Sequence, residues 1–128
     1  MFSHVTVGAN DVEASHKFYD AVLGALGHKP GARRDLPMPG VWYVTPHGLL
    51  GVVTPRDGQA ACHANGGTIG FAAASPEAVV AFAEAGVAAG GTAIEDPAGP
   101  RDTPFGFLHL AYLRDPSGNK ICAMHRVG

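Results

Sequence analysis

The sequence predicts a single α+β domain made of two βαβββ modules, with a curved, cup-like mixed sheet inside and the helices outside. A length of 128 residues suits one domain. An alternating strand pattern followed by a helix-spaced apolar stripe occurs twice, each time ahead of short segments punctuated by Pro and Gly. The spacing from Glu13 to Glu77 equals that from Phe18 to Phe82, which indicates an internal repeat.

The first module is predicted over residues 1–55. Its alternating segment 2–8 predicts a strand, and Asn10 is predicted to cap the following helix, with Glu13 completing a capping box. Apolar residues at three- and four-residue intervals then predict a helix that ends near Gly27. Three short strands are expected over the rest of the module.

The second module is predicted over residues 67–128, after a connecting linker at 56–66. A strand is followed by a helix that Ser75 caps, with Pro76 in its first position. A short strand near 92–95 and a Pro- and Gly-rich loop through Pro104 come next. The last elements are a hairpin of strands 105–113 and 120–126, joined by the turn 115–119.

Composition excludes several classes of partner. Nine basic and eleven acidic residues form no basic stripe, so no nucleic acid is expected. The first residues lack the pattern of a signal peptide, and no apolar stretch approaches the roughly 20 residues that span a bilayer. Two distant cysteines, Cys62 and Cys122, do not form a disulfide framework. A cytoplasmic protein without membrane contact is expected.

Three segments resemble the vicinal oxygen chelate superfamily, which includes glyoxalase I, bleomycin-resistance proteins and extradiol dioxygenases. They are HVTV at 4–7, FYDAVLG at 18–24 and DPSGNKI at 115–121. The resemblance covers residues 1–128 as one domain. It implies paired βαβββ modules and a homodimer. In metal-using members it also implies four ligand positions, on the first and last strands of each module.

Two of those four positions carry donors that bind metal well. The first falls on His4 and its counterpart on Thr68, while the position after Ile121, where Glu is usual, holds Cys122. The fourth falls near Gly51 or Val52, which offer no side-chain donor. His4 and Cys122 are therefore the candidate ligands. No cofactor is firmly predicted; imidazole with thiolate favours zinc, and iron, nickel and manganese are the other divalent candidates.

A pocket for a small organic molecule is expected in the cup. Strand alternation places Phe107 and His109 on one face of the strand 105–113 and Leu108, Leu110 and Tyr112 on the other, and the sequence leaves open which face lines the cup. Trp42 and Tyr43 alternate in the same way. The residues predicted to line the pocket are His4, Trp42, Thr68, Phe107, His109 and Cys122.

Three functions are consistent with these residues. The leading one is binding of a small molecule without a firm metal requirement, as in bleomycin-resistance-like members. The alternative is a metal-dependent lyase, isomerase or dioxygenase in which His4 and Cys122, with His109 or a water, hold a divalent ion. The glutamates that metal-using isomerases of this group usually need are absent. The third is a structural domain whose cup is filled by side chains. The sequence does not decide whether the protein is an enzyme.

Overall fold

The structure is a computed structural model that describes residues 1–127, so Gly128, the last residue of the predicted second module, lies outside it. Two modules follow one another with the same order of elements, which confirms the predicted paired α+β fold. The first contains β1 (His4–Gly8), α1 (Val12–Ala25), β2 (Ala32–Arg34), β3 (Gly40–Thr45) and β4 (Gly48–Val53). The second contains β5 (Ile69–Ala72), α2 (Pro76–Ala88), β6 (Thr92–Thr103), β7 (Gly106–Arg114) and β8 (Lys120–Arg126).

Each module forms a four-stranded mixed sheet. The strand orders are β1-β4-β3-β2 and β5-β8-β7-β6, and in each sheet the first strand pairs in parallel with the last. Thr6 lies beside Gly51 and Gly51 beside Trp42, while Gly70, Cys122 and Tyr112 form the same row in the second sheet. The register therefore relates the two modules residue by residue.

Helix α1 begins one residue later than predicted. Its N-cap is Asp11, whose carboxylate accepts a hydrogen bond from the Ala14 backbone N–H at 3.0 Å. The Asn10 side chain instead bonds both backbone groups of Ala61 in the linker, accepting at 2.7 Å and donating at 3.2 Å. An amide carries a donor and an acceptor, so it can hold a backbone segment in this way, whereas a carboxylate cannot.

Helix α2 has the predicted start. Ser75 caps it by accepting from the Ala78 backbone N–H at 3.1 Å, and Pro76 occupies the first turn. The strand after it differs from the prediction, because β6 runs from Thr92 to Thr103 with a register shift between Ile94 and Gly99. The guanidinium of Arg101 donates to the carbonyls of Asp96, Pro97, Gly99 and Pro100. Pairing with β7 therefore orders a Pro- and Gly-rich segment whose composition predicts a loop.

The two helices pack against each other over one shared core. Phe18 and Val22 of α1 contact α2 at Gly86, where a Cβ would lie 2.3 Å from Leu113 Cδ1. Glycine is required there because any side chain would displace the packed core. Phe82 is also fully buried in this core. Within residues 1–127, no helix is long and apolar enough to cross a membrane.

The turn at 115–119 joins the two modules by buried hydrogen bonds. Tyr19 donates its hydroxyl to Asp115 Oδ2 at 2.7 Å, and Asn119 Nδ2 donates to the Gly8 carbonyl at 2.9 Å. Burial, with the adjacent Asp115 carboxylate, raises the pKa of Tyr19 well above the ordinary tyrosine value. This conspicuous sequence motif therefore fixes the position of the second sheet against β1 and α1.

Candidate small-molecule pocket

The floor of the pocket is the indole of Trp42, on the face of the first sheet that points away from α1. The next residue, Tyr43, points toward α1 and donates its hydroxyl to Asp20 Oδ1 at 2.7 Å, so the pleat directs Trp42 to the other face. The indole lies across Gly51, because a Cβ at that position would fall 2.6–3.0 Å from three of its ring carbons. A glycine on β4 therefore provides the space in which the ring lies.

Two segments enclose the space above Trp42 and form a pocket of about 610 Å³. One is the loop that follows β2, and the other is the linker after β4, which Asn10 holds at Ala61. Most of the lining surface is apolar, and the charged side chains of Arg56 and Asp57 are exposed at its rim. The lining residues are Thr6, Gly8, Pro37, Met38, Trp42, Val53, Thr54, Pro55, Arg56, Asp57, Ala60, Ala61 and Cys62.

Of the residues predicted to line one pocket, Trp42 alone lines this one. His4 lies on the same sheet face as Trp42 but is exposed, with Nδ1 2.8 Å from Ser3 Oγ. Thr68 is exposed just before β5. Cys122 is only 7% exposed, on the second sheet, beside Gly70. No residue of the second sheet lines this pocket, so the structure does not bring these side chains together around it.

Phe107 and His109 lie on the face of the second sheet opposite to Cys122. They alternate with Leu108 and Leu110, and the register puts His109 beside His125 on the side where Ala111 and Ala123 pack against the helices. Leu108, Leu110 and Tyr112 share the face of Cys122. Phe107 and His109 therefore lie on the helix-facing side of the second sheet, because the core residues Ala111 and Ala123 fix the orientation of the whole strand.

Comparison with known proteins identifies the family. A family model described as glyoxalase-like domain matches residues 4–124. A crystal structure of a glyoxalase/bleomycin resistance protein from Albidiferax ferrireducens T118 is 57% identical, with a TM-score of 0.94 over 98% of this chain and 99% of that one. The chain belongs to the glyoxalase/bleomycin resistance family. The resemblance to the vicinal oxygen chelate superfamily is thereby confirmed.

More distant solved structures share the fold. A glyoxalase-related enzyme from Fulvimarina pelagi is 20% identical, with a TM-score of 0.73 over 98% of this chain and 88% of that one. A lactoylglutathione lyase from Agrobacterium tumefaciens is 21% identical, with a TM-score of 0.64 over 98% and 92%. At these identities the likeness establishes the architecture alone. No curated protein matches the chain.

The four positions that the family resemblance implies for a metal do not fit a divalent ion here. Gly51 has no donor and lies under the Trp42 ring, and the Thr68 hydroxyl is a poor ligand. Burial raises the pKa of the Cys122 thiol to about 11, which disfavours the thiolate form that binds metal. Within residues 1–127, no group of three or more His, Cys, Asp and Glu side chains is placed to hold a metal.

Nothing in the sequence indicated that residues of the linker would line the pocket. Arg56, Asp57 and Cys62 fall in or beside the segment predicted as a connecting loop, and Met38 lies in a Pro-rich turn. Gly51 was the one signal in the sequence, because a glycine within a strand often marks the close approach of another group. The partner in that approach, Trp42, becomes evident only from the register of β3 against β4.

Proposed function

We propose that this protein binds a small organic molecule whose planar aromatic part stacks on Trp42, and that it does so without a catalytic metal at His4 and Cys122. The proposal depends on one observation, the indole of Trp42 that lies across Gly51. Gly51 occupies the position in the first sheet that Cys122 occupies in the second. The first module thus has an aromatic surface where the resemblance implies a metal ligand. Binding by stacking and enclosure follows from this substitution.

The chemistry of the pocket supports a ligand that is largely apolar with a polar edge. A volume of about 610 Å³ suits a drug-sized molecule, since small-molecule sites commonly measure about 300–1,000 Å³. Stacking on an aromatic ring contributes about 0.5–1.5 kcal/mol beyond burial of area. Thr6 and Thr54 offer hydroxyl groups at the walls, and Arg56 and Asp57 offer both signs of charge at the rim. The scaffold therefore favours flat molecules over flexible chains.

Fluorescence of Trp42 tests the proposal directly, because it is the single tryptophan of the chain. Titration with 2-naphthoate and with naphthalene-2-carboxamide, which share a ring system but differ in charge, should quench its emission saturably. Both compounds should raise the melting temperature in proportion to the logarithm of their concentration, as preferential binding to the folded state requires. The difference between the two affinities measures the contribution of the charged rim.

A matched pair of variants localises the binding. Trp42→Leu should abolish the rise in melting temperature, whereas Tyr112→Leu, at the equivalent position of the second sheet, should retain it. Equal loss of the effect in both variants, or its survival in Trp42→Leu, would show that ligand binds elsewhere. The same assay extends to antibiotics and glutathione adducts, which are the ligand classes of interest for this family.

The alternative enzyme predicts a different result in metal analysis. Protein purified without added ions should contain well under one equivalent of zinc, iron, nickel or manganese if the proposal holds. Near-stoichiometric metal that His4→Ala or Cys122→Ala removes would instead support the metal-dependent lyase, isomerase or dioxygenase. Loss in either variant singles out these two ligands among all histidines and cysteines.

We further infer that the protein is a homodimer that uses the open side of the first sheet. Val44 is 73% exposed and Leu49 37% exposed on neighbouring strands of that face, and apolar side chains so placed favour burial against a second copy. Light scattering should give twice the chain mass of 13.1 kDa. Val44→Glu should shift the population to monomer, and a wild-type protein that remains monomeric at millimolar concentration would contradict the inference.

We also infer a reducing compartment, the cytoplasm. Cys62 is exposed and Cys122 is buried, and neither forms a disulfide. An exposed free thiol persists where glutathione and thioredoxin keep thiols reduced. Fractionation of cells that produce the full chain should recover it in the cytoplasmic fraction, and recovery from the periplasm or the medium would contradict the inference.

A further inference from the structure

We propose that His109 and His125 form a second, independent site, which takes a late first-row divalent cation, with copper(II) bound most tightly and zinc and nickel more weakly. The two residues lie directly opposite each other on β7 and β8. Their ring centroids are 6.4 Å apart, and both side chains are half-buried. This site lies on the face of the second sheet away from Cys122, so it is separate from the pocket over Trp42.

A backbone contact sets the tautomer of His125 for metal binding. Its Nδ1 lies 3.0 Å from the carbonyl oxygen of Ala73. A carbonyl oxygen can only accept, so Nδ1 carries the proton and donates it, and the neutral ring presents its lone pair at Nε2. Metal-binding histidines are commonly oriented by such a hydrogen bond from the other ring nitrogen to a carbonyl or carboxylate. His125 is therefore held with the Nε2 lone pair available as a ligand.

The separation of the rings suits two ligands on one ion. Imidazole nitrogen binds zinc at about 2.0–2.1 Å, which places each ring centroid roughly 3 Å from the ion and two such centroids about 5–6 Å apart. A small rotation of either side chain would bring the observed centroid distance of 6.4 Å into that range. Phe107 packs edge-on against His109, with ring centroids 5.9 Å apart, and this contact restricts the His109 ring.

The charges around the pair favour a cation. On β6, Pro100 lies beside His109 and Asp102 beside Phe107, so one carboxylate shares this face. Helix α2, which packs on the same side, contains two glutamates and no basic residue. The basic residues of the second sheet are all on strand positions that alternate to the opposite face; they are Arg101, Arg114, Lys120 and Arg126. A cation bound between His109 and His125 would therefore face no basic side chain of the second sheet.

Only two protein ligands are available, so water completes the coordination and affinity follows the general order of divalent ions. For imidazole ligands that order runs through nickel to copper, with zinc below copper. The absence of a third donor within residues 1–127 distinguishes this arrangement from a closed structural zinc site, which takes four ligands. The site therefore exchanges its ion readily.

Calorimetric titration of the full chain with copper(II) chloride and with zinc chloride tests the proposal. Wild-type protein should bind one ion per chain at this pair, and His109→Gln should weaken binding at least tenfold. His125→Gln should do the same, because an amide can still donate to Ala73 but is a poor metal ligand. The matched control is His47→Gln, which removes an exposed histidine from the β3–β4 turn and should leave the affinity unchanged.

Paramagnetic broadening identifies the ligands independently of affinity. Substoichiometric copper(II) should broaden the imidazole resonances of His109 and His125 before any others. Broadening confined to His4, close to the N-terminal amine, or wild-type affinity in both His109→Gln and His125→Gln would overturn the proposal. His109→Gln leaves the Ala73 contact intact, so its result decides the matter if circular dichroism shows that His125→Gln does not fold. Neither result depends on ligand binding at Trp42.

Discussion

The two sheets carry equivalent open faces, away from the helices, that differ in what occupies them. In the first sheet the row Gly8, Val53 and Gly40 lies beside the row Thr6, Gly51 and Trp42. The equivalent rows of the second sheet are Ala72, Met124 and Leu110, and Gly70, Cys122 and Tyr112. Leu110 and Cys122 are each 7% exposed there. On the first face, glycines leave room for the indole of Trp42 and the side chain of Val53, whereas the second face carries a larger side chain at each position equivalent to one of those glycines.

The difference places the candidate pocket in one module and the more completely buried open face in the other. Both sheets use the same topology and pack their helices on the same side, so their open faces are equivalent by position. Glycines at Gly40 and Gly51 remove the side chains that would occupy the first face, at the cost of apolar burial in that module. Leu108 and Leu110 retain that burial in the second module. Four predictions sharpen this comparison of the two modules, in order of decreasing expected effect.

Leu110→Ala should destabilise the protein most, because it removes a buried side chain from the filled face. Leu to Ala changes in packed sites cost about 2–5 kcal/mol. The matched variant is Val44→Ala on the open face of the first sheet, which is 73% exposed and should change stability by no more than about 0.5 kcal/mol in the monomer. Urea unfolding at low protein concentration measures both, and similar values would mean that the two faces are equally packed.

The pH dependence of stability should reveal the buried Cys122 thiol. Burial raises its pKa from 9.0 to about 11, so the unfolded chain loses this proton near pH 9 while the folded chain keeps it until about pH 11. The free energy of unfolding therefore falls as pH rises across that window, by at most about 3 kcal/mol from this group. Lys120 opposes the shift and Glu95 adds to it.

The two cysteines provide the control for this prediction. Cys122→Ala should reduce the fall in stability between pH 9 and pH 11, and Cys62→Ala, at an exposed position, should not. Differences between each variant and wild type remove the contribution of other groups that titrate there, including the tyrosines whose pKa burial raises. Identical slopes in wild type and Cys122→Ala would show that the thiol is accessible to water.

Gly51→Ala should damage the pocket more than the fold. The added methyl group would lie 2.6 Å from the indole of Trp42 and must displace it, which costs about 1–3 kcal/mol. Emission from Trp42 should change, and affinity for 2-naphthoate should fall. The counterpart on the second sheet is Gly70→Ala, whose Cβ would lie 3.3 Å from Cys122 Sγ and should leave Trp42 emission unaltered. Unchanged emission in Gly51→Ala would remove the proposed floor.

Ser15→Ala should have the smallest effect, and it should stabilise the protein. Ser15 is fully buried on α1, and its hydroxyl has no hydrogen-bond partner within residues 1–127. The residue at the equivalent position of α2 is Val79, which is also fully buried. Removing an unpaired buried hydroxyl relieves its desolvation cost, so a gain of up to about 1 kcal/mol is expected in thermal unfolding. A loss of stability would show that a water or an altered rotamer satisfies the group.

Sequence patterns were informative where a local rule decides the structure. Ser75 and Pro76 start α2 because capping depends on residues within one turn. The same rule placed the cap of α1 at Asn10 rather than Asp11, since neighbouring residues of the same type compete and the linker contact of Asn10 lies far along the chain. The ordered strand at Thr92–Thr103 was missed because its pairing with β7 overrides its composition.

The sequence by itself determined the paired modules and the family, because repeats, periodicity and motifs are properties of the chain order. Tertiary structure alone decided that Trp42 lies on Gly51, that His109 faces His125 instead of Cys122, and that the linker closes the pocket. The physical reason is that strand register and the packing of the helix-facing core fix which face each side chain occupies. Alternation along one strand leaves two choices, and only contacts with distant residues select between them.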